Sequence, residues 1–216
     1  MIKAVIFDID GTIVDAYDSI HEALQRTLTD LGYARTTYEE SKRAVGHGVE
    51  YLLGSFVKED HIPKALELYT KHTDDVLKDT VKFLPGAFEL ITDLHDKGYK
   101  LAIASNRPHQ FSKRILECLE IEHLFHEVVC ADNVPEAKPA PDVLIEVLKR
   151  FDLSNEQALY VGDMIVDVET GRRAGVVTLA IPTGSSTREE ILASDPHTVI
   201  EHLSEVGPII DKLSHR

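Results

Sequence analysis

The sequence predicts an α/β protein: an open parallel β-sheet with helices on both faces, interrupted after its first strand by a small all-helical segment. Three observations carry this. Ile2, Ala4, Val5, Ile6 and Phe7 form a short apolar run of strand length. From Phe83 onward, short apolar runs alternate with stretches of helical period, the pattern of parallel strands joined by right-handed crossovers. Between Asp15 and about Lys82 the apolar residues recur only at helical spacing. In an open sheet of this kind ligands bind beyond the carboxyl ends of the strands, so the residues that follow each apolar run are the functional candidates.

Taken in order, the first run stops at Asp8, and Asp10, Gly11 and Thr12 follow where glycine permits a turn. Ile20, Ala23, Leu24, Leu28 and Leu31 then mark a helix that Gly32 ends, and further helices are expected over 38–45, 49–57 and 62–79. Pro85-Gly86 opens a helix that closes at Lys97-Gly98. Lys100 to Ala104 reads as a buried strand halted at Ser105-Asn106-Arg107-Pro108, followed by a helix from His109 to about Cys118 and a strand at Glu127 to Cys130. The alternation continues with helix 141–151, strand 158–161, helix 164–174, strand 176–181, a short helix near 188–193, a weak strand at Thr198-Val199 and a last helix near 203–213. The expected division is therefore residues 1–14 and 83–216 as the α/β core, with 15–82 as the insert.

Lys and Arg number 23 against 37 Asp and Glu, a formal charge of −14 that opposes nucleic acid and anionic membrane surfaces as partners. An anionic substrate must then be met by a local group of donors. The two cysteines, Cys118 and Cys130, lie beside apolar residues and read as buried small hydrophobes, not as a disulfide framework or a zinc site. With no signal-like start and no apolar stretch near the ~20 residues of a membrane helix, a cytoplasmic location is expected. No feature selects monomer over dimer.

Asp8 and Asp10 at one strand tip, and Asp163 with Asp167 one helical turn on after another, place four acids on neighbouring strand ends. Such a group calls for a divalent cation, and an all-oxygen set suits Mg²⁺. Ser105 and Asn106, where a strand yields to a helix, offer a hydroxyl and backbone amides to an anion at the helix N-terminus. Lys138 lies in Pro135-Glu136-Ala137-Lys138-Pro139-Ala140-Pro141, whose prolines stiffen the loop around one ammonium group.

In order and context, Asp8-Ile9-Asp10-Gly11-Thr12, Ser105, Lys138-Pro139 and Gly162-Asp163 through Asp167 resemble the four motifs of the haloacid dehalogenase-like superfamily. Pro85-Gly86, Ala137 to Asp142 and Gly171-Arg172-Arg173-Ala174-Gly175 resemble its phosphoglycolate-phosphatase-like branch. The resemblance spans nearly the whole chain and implies a Rossmann-like core with 15–82 as a helical cap. It implies Asp8 as nucleophile, forming an aspartyl phosphate, and Asp10 as the acid and base. It further implies Mg²⁺ held by Asp8, the Asp10 carbonyl and Asp163, with Asp167 as an outer ligand or a supporting acceptor. Ser105 and Lys138 would bind the transferring oxygens, helped by the amides of Ile9, Asp10 and Asn106, and Lys138 would keep Asp8 ionised.

The expected function is thus a phosphatase of a small phosphorylated metabolite such as phosphoglycolate. Asp10 argues against dehalogenation. The alternatives are a β-phosphoglucomutase-like sugar phosphomutase, a pyrophosphatase, or a phospho-accepting regulatory module. In the insert, Gly46-His47-Gly48 interrupts the helices, and His47 with Arg107 from the core is expected to contact a carboxylate or second phosphate of the substrate.

Overall fold

The computed structural model describes residues 1–214. Its main sheet has six parallel strands: β1 (Ala4–Phe7), β4 (Lys100–Ser105), β5 (Glu127–Cys130), β6 (Ala158–Gly162), β7 (Val177–Ala180) and β8 (Thr198–Val199). The spatial order is β5-β4-β1-β6-β7-β8, so β1 is central, with β4 on one side and β6 on the other. Val5 pairs with Leu101 and Leu159, and Phe7 with Ile103 and Val161. Because successive strand residues point to opposite faces, each strand feeds two apolar layers. Val5, Phe7, Leu101, Ile103, Leu159 and Val161 belong to one. Ala4, Ile6, Ala102, Ala104 and Tyr160 belong to the other. Helices α5 (Ala87–Asp96), α6 (His109–Cys118) and α10 (Val206–Ser214) pack into the first layer. Helix α7 (Asp142–Phe151) packs into the second through Val143, Leu144, Val147 and Leu148.

The insert is helical, as its period implies: α1 (Tyr17–Asp30), α2 (Tyr38–Arg43), α3 (Val49–Gly54) and α4 (Ile62–Thr80). Helices α1, α3 and α4 share an apolar cluster of their own that includes Leu24, Leu28, Leu53, Ala65 and Tyr69, joined by Ala44 just past the end of α2. A feature absent from the sequence reading joins insert to core: β2 (Val14–Asp15) pairs antiparallel with β3 (Lys82–Phe83). Each is two residues long, too short to show a period. Lys82 Nζ lies 3.4 Å from Asp15, so the two crossings between core and insert are tied together. Among the described residues, no helix is long and apolar enough to cross a membrane.

Helix α8 (Ile165–Ala174) follows β6, and α9 (Arg188–Ala193) follows β7. The strand tips of β1, β4 and β6 therefore stand side by side, with the insert above them.

Candidate active site

Asp8 follows β1 directly and keeps one more ladder bond, its amide donating to the Val161 carbonyl at 2.9 Å. The chain then folds sharply: the Ile9 carbonyl accepts from Thr12, Ile13 and Val14, and Gly11 takes φ +84°. Gly11 is required for a second reason, since a β-carbon there would stand 2.5 Å from Asp163 Oδ2. Gly184 abuts the same oxygen from the other side, where a β-carbon would overlap it. Asp163 thus sits in a cradle of two glycines, held by Thr12 Oγ1 donating to Oδ1 at 2.8 Å.

Lys138 reaches into this group from its proline-rich loop. Its Nζ donates to Asp8 Oδ1 at 2.9 Å and to Asp167 Oδ1 at 2.6 Å, and lies 3.1 Å from the Tyr160 hydroxyl. Burial alone would discharge this lysine, but Asp167 and Asp8 outweigh it and hold its pKa above the usual lysine value. Asp167 is fully committed: Oδ1 accepts from Lys138 and from the Tyr160 hydroxyl at 2.7 Å, and Oδ2 from the amides of Asp163 and Met164 at 3.1 and 3.0 Å. It reaches back over the first turn of α8, which is possible because Gly162 has no β-carbon; one there would meet Asp167 at 2.4 Å. Of the two roles expected for Asp167, the geometry fits the supporting acceptor.

Asp8, Asp163 and Asp167 present carboxylate oxygens within 4.8 Å of one another. All three are buried. Burial pushes Asp8 up from the ordinary 3.8 to about 6; Lys138 opposes the rise, and Asp167 and Asp10 add to it. Lys138 acts toward the ionised form of Asp8, the direction expected of it, but desolvation exceeds what one ammonium shared between two acids restores. Asp163 is also raised, by burial and then by Asp167 and Asp8. Asp8 Oδ2 accepts from no donor among the described residues. Buried, mutually repelling carboxylates with an unfilled oxygen and an all-oxygen donor set fit a hard divalent cation.

Beyond β4, Ser105 and Asn106 are buried beside Asp8. The anion site at the helix N-terminus is not formed as expected. Helix α6 begins three residues later, at His109, and the Asp132 carboxylate takes the His109 amide at 2.9 Å. The amides of Ile9, Asp10 and Asn106, by contrast, donate to no acceptor among the described residues. They are the free donors around Asp8.

Asn106 spends its side chain on the Lys138 loop and the insert. Its Oδ1 accepts from the Lys138 amide at 2.8 Å, and its Nδ2 donates to the Lys138 carbonyl at 2.9 Å and the Gly46 carbonyl at 2.8 Å. Asn106→Ala should therefore lower kcat through misplacement of Lys138, by roughly thirtyfold to a hundredfold given two or three bonds of about 1 kcal/mol each. An unchanged kcat in steady-state assay would contradict that role.

Arg107 and Asp10 form a buried pair: Nε donates to Oδ2 at 2.7 Å and Nη2 to Oδ1 at 2.8 Å. His47 is not brought to this centre. It is exposed and lies against Tyr51 with ring centroids 4.9 Å apart, and it lines an outer pocket. The flanking glycines turn the chain so that the backbone of Gly46 and Gly48, not the imidazole, faces the inner cavity. That cavity, about 60 Å³, lies between insert and core over Asp8, Asp10, Ser105 and Lys138.

Tyr160, Gly184 and the side-chain role of Asn106 were not singled out from the sequence. Tyr160 lies inside an apolar strand, where a tyrosine reads as core. A buried tyrosine hydroxyl needs a partner, and that is the one signal that pointed to it.

A family model for haloacid dehalogenase-like hydrolases matches residues 5–181. A phosphoglycolate phosphatase of Aliivibrio fischeri is 31% identical over 208 residues, covering 92% of this chain and 92% of its own length. A phosphoglycolate phosphatase of Aquifex aeolicus is 33% identical over 176 residues, 82% of this chain and 83% of its own. Among solved structures, a haloacid dehalogenase-like family hydrolase of Streptococcus pneumoniae superposes with a TM-score of 0.87 at 27% identity, covering 97% of this chain and 98% of that one.

Proposed function

The chain belongs to the haloacid dehalogenase-like hydrolases and is a phosphatase of small phosphoesters; from that premise we propose that it cleaves a short phosphomonoester of the phosphoglycolate kind through Asp8, with Mg²⁺ as cofactor. The observation that carries the reading is Asp8 itself, with Oδ1 fixed by Lys138, Oδ2 free, and the unpaired amides of Ile9, Asp10 and Asn106 nearby.

In the first half-reaction Asp8 attacks phosphorus, the bond from phosphorus to the ester oxygen breaks, and Asp10 gives that oxygen a proton. An aspartyl phosphate and an alcohol result. In the second, water attacks phosphorus, its proton passes to Asp10, and the bond to Asp8 breaks to release phosphate. Phosphoryl transfer asks chiefly for positioning and for donors where charge gathers. Ser105, Lys138 and the three amides are the donors in this reading. The carboxylates of Asp8 and Asp163 and the Asp10 carbonyl would hold the cation, with Asp167 positioning Lys138. When bound, Mg²⁺ neutralises the facing carboxylates and draws charge from the phosphoryl oxygens.

Residues 15–82 serve in this reading as a cap that closes over the substrate. Supporting it, the insert touches the core through Asn106 to the Gly46 carbonyl and through Arg43 Nη1 to the Ser185 carbonyl at 3.0 Å. The unbridged cysteines accord with a cytoplasmic enzyme. The experiment is a panel of phosphorylated metabolites, pyrophosphate and sugar phosphates with Mg²⁺, ranked by kcat/KM. Phosphate release from short monoesters, lost in excess chelator and restored by Mg²⁺, is expected. Isomerisation of a sugar phosphate without phosphate release would make the protein a mutase instead.

The metal also has a signature in stability. Asp8 binds its proton more tightly folded, near 6, than unfolded, near 3.8. Its contribution to stability is therefore complete below about pH 3.8 and is lost as the pH rises through 6. Between pH 5 and pH 8 the metal-free protein should lose roughly 1 kcal/mol through Asp8 alone, a few degrees in Tm. Saturating Mg²⁺ should raise Tm more at pH 8 than at pH 5, and Asp163→Asn should remove most of that response. A Tm indifferent to Mg²⁺ at both pH values would contradict the metal.

A further inference from the structure

The geometry points to Arg107 as a substrate-operated switch on Asp10: an anionic group on the leaving alcohol draws the guanidinium away and so frees Asp10 to face the ester oxygen. The inference rests on the proposed phosphatase reading and narrows its substrates to short monoesters that carry a second anion, such as a carboxylate, beside the ester carbon.

Four observations support it. Both carboxylate oxygens of Asp10 accept from Arg107, at 2.7 and 2.8 Å, so the pair is bidentate and its fork geometry is satisfied. The Arg107 side chain is 6% exposed and the Asp10 side chain 10%, so neither can be released to water without a replacement partner. A guanidinium carries five N–H bonds, of which Asp10 takes two; no acceptor among the described residues takes the others. Finally, Lys138 and Arg107 are, among the described residues, the only cationic ones that line the inner cavity, and Lys138 is held by Asp8 and Asp167.

The insert adds no competing charge. It closes the cavity with Ile20, Val45, Val49, Leu52 and Tyr69 and with the backbone of Gly46 and Gly48. Any second anion on a bound substrate must then be met by Arg107. In the proposed reaction Asp10 stands beside the ester oxygen, and Arg107 stands on Asp10. An anion one carbon beyond that oxygen therefore engages the open N–H bonds of the guanidinium and draws it from Asp10. A substrate with a neutral leaving group offers no replacement partner, and Asp10 stays clamped.

The test compares phosphate release, with Mg²⁺ present, from 2-phosphoglycolate and from its neutral counterpart 2-hydroxyethyl phosphate, in wild type and Arg107→Gln. Wild type should favour the carboxylate ester by roughly tenfold to a hundredfold in kcat/KM, the worth of a charged hydrogen-bonded contact. Arg107→Gln should lose that advantage, and its kcat on the neutral ester should rise above wild type because Asp10 is no longer clamped. A fall on the carboxylate ester without a rise on the neutral one would mean simple anion binding, and equal falls would mean a structural arginine; either overturns the switch. Should Arg107→Gln fail to fold, the wild-type protein answers through two unreactive analogues, 3-phosphonopropionate and 3-hydroxypropylphosphonate. The carboxylate should inhibit roughly tenfold to a hundredfold more tightly, and equal inhibition overturns the proposal. Equal kcat/KM for the two esters in wild type would remove the switch and leave the phosphatase reading standing. Release from neither, alongside turnover of other monoesters, would remove the proposed substrate class and the switch with it.

Discussion

Asp8→Asn should reduce turnover by about four to six orders of magnitude, as removal of a covalent nucleophile does, and should at the same time stabilise the metal-free protein at neutral pH. The two effects have one origin. Asp8 is buried at a strand tip among Asp10, Asp163 and Asp167, and its pKa is lifted to about 6. Above that pH the folded protein holds an ionised group that unfolding would release to water. The difference from 3.8 corresponds to at most about 3 kcal/mol, or several degrees in Tm for a chain of this length. Asparagine keeps the shape and an oxygen for Lys138 while removing the charge. Calorimetry in chelator with a parallel turnover assay checks both arms. A variant that retains turnover, or that melts well below wild type, would contradict this account of Asp8.

Lys138→Met should destabilise by about 3–5 kcal/mol, the consequence of leaving buried carboxylates without their cation, and lower kcat by about a thousandfold or more. The lysine serves two acids at once, at 2.9 Å to Asp8 and 2.6 Å to Asp167. Its removal thus has the opposite stability sign to Asp8→Asn, although the two side chains touch. That opposition makes the pair diagnostic. The double variant Asp8→Asn, Lys138→Met should be more stable than Lys138→Met alone, since one of the two stranded acids is gone, and the effects should fail to add. Denaturant melts of the four proteins measure this. Simple additivity would mean that the ion pair does not control stability here.

The contrast between these residues shows what a sequence can convey. Asp8, Ser105, Lys138 and Asp163 each follow an apolar run or sit in a stiff loop, so their convergence at one edge of a parallel sheet follows from topology. The helical insert was equally plain from its period. Contacts that depend on side-chain direction were not. The pairing of Arg107 with Asp10 joins residues far apart in the chain and uses a direction that no spacing encodes. His47 was expected to face the substrate because it lies between two glycines, yet the same glycines turn the backbone inward and the ring outward. For Asp167 the sequence left two roles open, an outer metal ligand or a supporting acceptor. The four hydrogen bonds on its two oxygens, which no spacing encodes, fit the second, a support for Lys138 and for the first turn of α8. The β2–β3 clasp, two residues on each side, has no periodic signal to read.

The central claim is that Asp8 carries the phosphoryl group, and trapping tests it most directly. Enzyme mixed with substrate and Mg²⁺ is quenched in acid within the first turnover and reduced with borohydride, which converts an aspartyl phosphate to homoserine and leaves a free carboxylate untouched. Peptide mass spectrometry should find homoserine at position 8 and aspartate at 10, 163 and 167. Homoserine at another of these positions, or at none while phosphate is being released, would contradict the account.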